Sequence, residues 1–70
     1  MDNLTTIEIY TGQRFGVILQ QRDRDGELVT HEFRADRPDA TYSGHYFAAS
    51  DASEAHEDFA RRVAVLRARG

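Results

Sequence analysis

Polar and apolar residues alternate one by one over the first half of the chain. Over its last third the apolar residues recur at spacings of three and four. Residues 4–11, LTTIEIYT, are rich in β-branched side chains, with Ile7 and Ile9 on one face and Thr6, Glu8 and Tyr10 on the other. Period-two alternation of this kind predicts a half-buried strand. Gly12-Gln13-Arg14 reads as a short loop, and residues 15–22 resume the alternation, setting Phe15, Val17 and Leu19 against Gly16, Ile18, Gln20 and Arg22. The Asp25-Gly26 pair between two strand patterns is a hairpin signal. A third strand over residues 27–35 divides Val29, His31 and Phe33 from Leu28, Thr30, Glu32 and Arg34. Residues 36–41, DRPDAT, hold the single proline and predict a loop, because the residue before proline is pushed away from helix. Residues 42–47, YSGHYF, form a candidate short fourth strand, with Gly44 marking an edge or a bulge.

From Ser50 onward the period changes. Ala52, Ala55, Phe59, Val63 and Leu66 make one apolar stripe, which predicts a helix over 51–69. Ser50, Asp51 and Ser53 are all good N-cap types, and Asp51 with Glu54 resembles a capping box. Acids open this helix and arginines close it, as the macrodipole favours. A three- or four-stranded antiparallel meander with one C-terminal helix can bury its apolar surfaces only by stacking the two. The expected fold is therefore a single-domain α+β two-layer sandwich. On this reading Ile7, Ile9, Phe15, Val17, Leu19, Val29 and Phe33 lie under the helix. Thr6, Glu8, Tyr10, Ile18, Gln20, Thr30 and Glu32 face outward.

Composition narrows the function. A chain of 70 residues buries only about 60% of its unfolded surface, close to the lower limit for folding unaided. It has no cysteine, which excludes disulfides and thiolate metal sites. No apolar run approaches the length of a membrane span or a signal core, so the expectation is a soluble, cytoplasmic protein. The formal net charge of −3 conceals an asymmetry. Residues 61–70 hold Arg61, Arg62, Arg67 and Arg69 and no acid, whereas residues 1–60 carry twelve acids against five arginines, a net of −7. An acidic body argues against general binding to nucleic acid or anionic membranes, and favours a cationic protein partner.

The motifs that suggest chemistry are fragments. His56-Glu57 begins an HExxH zinc-protease pattern, but position 60 is Ala. Asp23-Arg24-Asp25-Gly26-Glu27 begins like a calcium loop, yet its flanks are strands. Asn3-Leu4-Thr5 is a glycosylation sequon without a secretory context. His31, His45 and His56 lie on different elements with no nucleophile in a recognisable turn, and His31 reads as half-buried with one satisfied nitrogen. Tyr10, Tyr42, Tyr46 and Phe47 are candidates for a base-stacking platform, or simply for packing at strand edges and under the helix. No catalytic site, metal site or cofactor is expected.

The meander with its Asp-Gly turn, followed by SDASEAHEDFARRVAVLRAR as one amphipathic helix, resembles the small anti-CRISPR proteins of phages and mobile elements that inhibit type I systems. The resemblance is one of architecture across most of the chain and carries no motif, so no residue role is transferred by it. It implies binding to a DNA-recognising surveillance complex, in some cases by imitating DNA. The arginine-rich helix end departs from a uniformly acidic mimic and implies a patch on one face. The expectation is thus a non-enzymatic inhibitor or interaction protein, monomeric or weakly dimeric. Its acidic face would be Glu8, Asp23, Asp25, Glu27, Glu32, Asp36 and Asp39. The alternative is a nucleic-acid-binding or antitoxin-like regulatory module that uses the arginine-rich helix end.

Overall fold

The computed structural model describes residues 3–69. Four strands run in meander order, β1 (Leu4–Thr11), β2 (Phe15–Arg22), β3 (Leu28–Arg34) and β4 (Arg37–Phe47), with every neighbouring pair antiparallel. A 3-10 turn at Ala49–Asp51 leads into the helix α1 (Ala52–Arg69), which lies across β2 and β3. The predicted α+β sandwich is the observed one. The stripe of Ala52, Ala55, Phe59, Val63 and Leu66 packs on Val17, Leu19 and Leu28, with Tyr10 and Phe47 at the margins. Each large side chain buried there contributes about 1.5–3 kcal/mol.

Two local expectations about chain termini of elements change. The helical segment begins at Ala49, with Ala48 as N-cap and no side-chain cap, so Asp51 with Glu54 does not form the expected capping box there. The turn is closed instead by the Asp51 N–H donating to the Ala48 carbonyl at 2.8 Å. Residues 37–41 are strand rather than loop. Pro38 is compatible with this because β4 is an edge strand, where a missing N–H leaves no ladder bond unmade.

The register corrects the expected faces. Val17 pairs with Glu32, Leu19 with Thr30 and Gln21 with Leu28. Residues opposite each other across an antiparallel pair share a face, so Leu28, Thr30 and Glu32 lie under the helix with Val17 and Leu19. Val29 and Phe33 lie on the other face, opposite Gln20 and Gly16. A bulge at Ile7 shifts the β1 register between Thr6 and Glu8, which carries Glu8 and Tyr10 to the helix side opposite Leu19 and Val17. A bulge leaves one residue unpaired and inverts the face of everything beyond it. Ile7 and Ile9, expected in the core, are consequently exposed.

Phe33 is only 2% exposed although no helix covers its face. Its ring lies on Gly16: a Cβ added there would fall 2.2 Å from Phe33 Cζ and 2.6 Å from the Tyr10 carbonyl oxygen. The bare backbone of Gly16 is what lets the ring settle on the sheet. Gly16→Ala is therefore expected to cost about 1–3 kcal/mol through overpacking. A urea midpoint equal to that of the parent would show that the ring and the β1 backbone yield freely.

Candidate functional site

One acidic side chain on α1 is buried. Asp58 is 4% exposed and sits over the middle of β3. The Thr30 hydroxyl donates to its Oδ2 at 2.5 Å, and Arg62 Nε donates to the same oxygen at 3.1 Å. Arg61 Nη1 donates to Oδ1 at 3.1 Å, and His45 Nδ1, from β4, faces Oδ2 at 3.2 Å. Arg62 reaches further, with Nη1 to Glu32 Oε2 at 3.1 Å and Nη2 to the Ser43 carbonyl at 2.7 Å. The i, i+3 and i, i+4 spacing of Asp58, Arg61 and Arg62 puts all three on one helix face. The registers of β3 and β4 then bring Thr30, His45 and Glu32 beneath them.

Burial works to raise the Asp58 pKa, but the hydrogen bonds from Thr30 and His45 and the charge of Arg62 outweigh it, so the carboxyl is held below its usual range. Four donors occupy the lone-pair capacity of this carboxylate. Asp58 is accordingly an anchor for the helix rather than a proton acceptor at neutral pH. Next to this cluster, a bulge at Ser43, whose φ is +55°, interrupts the β3–β4 ladder opposite His31. His31 is half-buried, and burial together with the Arg62 charge lowers its pKa. The hydrogen bond expected for one of its nitrogens is not present among the described residues. The three histidines do not meet: His45 is on Asp58, His56 Nδ1 is 2.9 Å from Glu8 Oε2, and His31 lies beside Gly44. Nor do the aromatics form one platform, since Tyr10 and Phe47 pack on the core while Tyr42 and Tyr46 are exposed.

The structure separates the seven acids expected to form one face. Glu8 and Glu32 are not on the outer sheet face; the bulge at Ile7 and the β2–β3 register turn them toward the helix, where His56 and Arg62 engage them. Asp23, Asp25 and Glu27 share the β2–β3 connection, a five-residue loop one residue longer than expected because β3 begins at Leu28. Its Gly26 has φ +77°, and its N–H donates to the Arg22 carbonyl at 2.8 Å. Arg22 grips Asp25 at 2.8 Å and Glu27 at 2.9 Å, while Thr5 donates to Asp23 at 2.7 Å. The Arg22 hydrogen bonds and the Glu27 N–H hold the Asp25 carboxyl well below the usual carboxylate range. Asp36 pairs with Arg34 at 3.0 Å at the opposite end of the sheet, and Asp39, on β4, is exposed.

Contact between Gly26 and Ala49 produces a different grouping. A Cβ on Gly26 would lie 3.1 Å from the Ala49 side chain, so the 23–27 loop abuts the start of the helical segment. Asp51 and Glu54, both exposed at the start of the helix, thereby lie toward the same end as Asp23, Asp25 and Glu27 in a molecule 35 Å long. At the other end the Ala35 N–H donates to the Arg14 carbonyl at 2.8 Å, tying the β1–β2 and β3–β4 turns together near the end of α1. Arg14, Arg34, Arg37, Arg67 and Arg69 collect there. In sequence, the helix-start acids could be read fully from the macrodipole, and nothing in the pattern signalled that the loop would lie beside them.

Among the described residues no group of three or more histidines and carboxylates is arranged to hold a metal ion, and no helix is long and apolar enough to cross a membrane. No protein-family model, curated protein or solved structure matches the chain.

Asp58→Asn is expected to lower stability by about 1–3 kcal/mol at neutral pH, because the charge-assisted hydrogen bonds from Arg61 and Arg62 are weakened while Arg62 keeps Glu32 and the Ser43 carbonyl. A carboxyl with a depressed folded pKa contributes fully above its unfolded value, about 3.9, and loses that contribution as pH falls through the folded value. The gap between parent and variant should therefore close below about pH 4. A gap constant across that range in urea titrations would remove the charge-based account of the anchor.

Proposed function

We propose that the protein is a non-enzymatic interaction module that docks its acidic end on a cationic, nucleic-acid-binding protein. The observation that carries this reading is the Gly26–Ala49 contact, which gathers the acids of the loop and of the helix start at one end. Five of the nine arginines, Arg14, Arg34, Arg37, Arg67 and Arg69, gather at the other, while Arg22 and Arg24 stay with the acidic loop. A charge distribution divided along the long axis orients the molecule in the field of a partner before contact and speeds productive encounter. Arg22 already neutralises part of the charge on Asp25 and Glu27. The contact therefore falls chiefly to Asp23, Asp51 and Glu54, with Asp25 and Glu27 shaping the loop. The use made of Asp58 supports a binding rather than a catalytic role, since its four donors fix the helix and occupy its carboxylate.

The partner class that the resemblance implies is a type I surveillance complex, which the protein would keep from its target DNA. In a filter-binding assay, saturating protein is expected to reduce DNA retention by such a complex; undiminished retention would sink the inhibitor reading. Asp51→Lys with Glu54→Lys should slow association with the complex by about tenfold at low salt, the deficit shrinking as salt is raised. Association rates indifferent to both changes would mean that the acidic end is not the docking surface.

A further inference from the structure

At the arginine-rich end, the β1–β2 loop and the last turn of α1 border a hollow of about 410 Å³ lined by Tyr10, Arg14, Phe15, Leu66 and Arg69. That volume falls in the range of small-ligand clefts. No acidic side chain lines it, and neither Arg14 nor Arg69 has a carboxylate partner among the described residues. Phe15 is an aromatic ring left 37% exposed, and Tyr10 is held in place by Arg67, whose guanidinium carbon lies 5.3 Å from the ring centroid. The backbone around Arg14 and Phe15 is fixed from both sides. The Gly12 N–H donates to the Phe15 carbonyl at 2.9 Å, and the Ala35 N–H donates to that of Arg14 at 2.8 Å. A Cβ on Gly12 would stand 2.9 Å from that same Phe15 oxygen and 3.3 Å from the Tyr10 ring, so this close turn depends on glycine.

We infer that this hollow is a nucleotide site, in which the Arg14 and Arg69 guanidiniums hold a phosphate and the base lies against Phe15. Guanidinium forks match phosphate oxygens in pairs, and two such groups without counter-charges are the feature an anion would satisfy. A bare anion has no use for an exposed ring, whereas a nucleobase stacks on one. A second hollow continues from Gln13, Arg14 and Phe15 to the Arg34–Asp36 pair, which gives a next nucleotide room beside the first but no unmatched cation. A free nucleotide and a nucleotide within a single strand present the same chemistry to the first hollow, and only the strand uses the second. This site is independent of the acidic end.

The test is an amide-shift titration of the isotopically labelled full chain at low salt. Thymidine monophosphate, an oligothymidylate of about eight residues and inorganic phosphate serve as separate probes. Shifts at residues 12–16 and 66–69 with the mononucleotide are expected, extending to residues 34–36 and with tighter binding for the oligonucleotide. Tight binding of the mononucleotide with none of the oligomer would assign the site to free nucleotides. Phe15→Leu should weaken binding by at least about fivefold, while Phe15→Tyr retains it. Arg14→Gln combined with Arg69→Gln should abolish it, and Ser53→Ala, at the far end of α1, should leave it unchanged. Shifts elsewhere, no shifts, or equal affinity for inorganic phosphate and the mononucleotide would overturn the assignment.

Discussion

The stacking of one helix on one sheet rests on the bonds that Asp58 and Arg62 make to Thr30, Glu32, His45 and Ser43. A small apolar core holds the layers together without fixing one azimuth of the helix, because Ala52, Ala55 and Val63 are small and their contacts are non-directional. The polar cluster adds direction. Asp58 meets Thr30 at one point on β3, and Arg62 reaches Glu32 two residues along and the β4 bulge beside it. Both side chains are nearly excluded from water, so rotating or sliding the helix would strand charges rather than merely exchange apolar neighbours. Burial of charge is a poor source of net stability and a good source of uniqueness, and a domain of this size needs the second.

Polarity along the long axis follows from the same stacking. Once α1 lies across the meander with its start beside the β2–β3 loop, everything at the helix start shares an end with that loop. Everything at the helix finish shares an end with the other two turns. The macrodipole favours acids first and arginines last on the helix. The meander leans the same way, with Asp23, Asp25 and Glu27 against Arg22 and Arg24 at the middle turn, and Arg14, Arg34 and Arg37 against Asp36 at the outer ones. Local helix electrostatics thus become a property of the whole molecule.

Much of the fold was legible in the sequence because period two and the three-four stripe are local signals. The strand limits of β1 and β2 and the five stripe residues of α1 came directly from them. The faces of β3 were not legible. In LVTHEF the apolar residues Val29 and Phe33 suggest the buried side, yet Thr30 and Glu32 lie under the helix because the helix carries its own polar partners for them. Alternation within a strand defines two faces without saying which of them joins its neighbour's; that depends on the loop length, five residues here where the strand patterns left four. Pro38 misled for a related reason, since an edge strand forgives what a central one does not. The acidic grouping was hidden more deeply, in a contact between Gly26 and Ala49 that no local pattern encodes.

Single unpaired residues decide what each edge of the sheet presents. On β1, the extra residue at Ile7 sends Glu8 and Tyr10 inward, so His56 gains a partner and Tyr10 becomes the wall beneath Arg67. Without that bulge Tyr10 would face away from the helix, and the hollow beside Phe15 would lose one side. On β4, the extra residue at Ser43 frees a carbonyl that Arg62 takes, and Pro38 and the irregular pairing near Arg37 leave this edge unsuited to pairing with another strand. The two bulges therefore act in opposite senses. One assembles a surface that a ligand of mixed aromatic and anionic character fits, and the other closes a surface by drawing its loose backbone into the charge cluster that holds the helix.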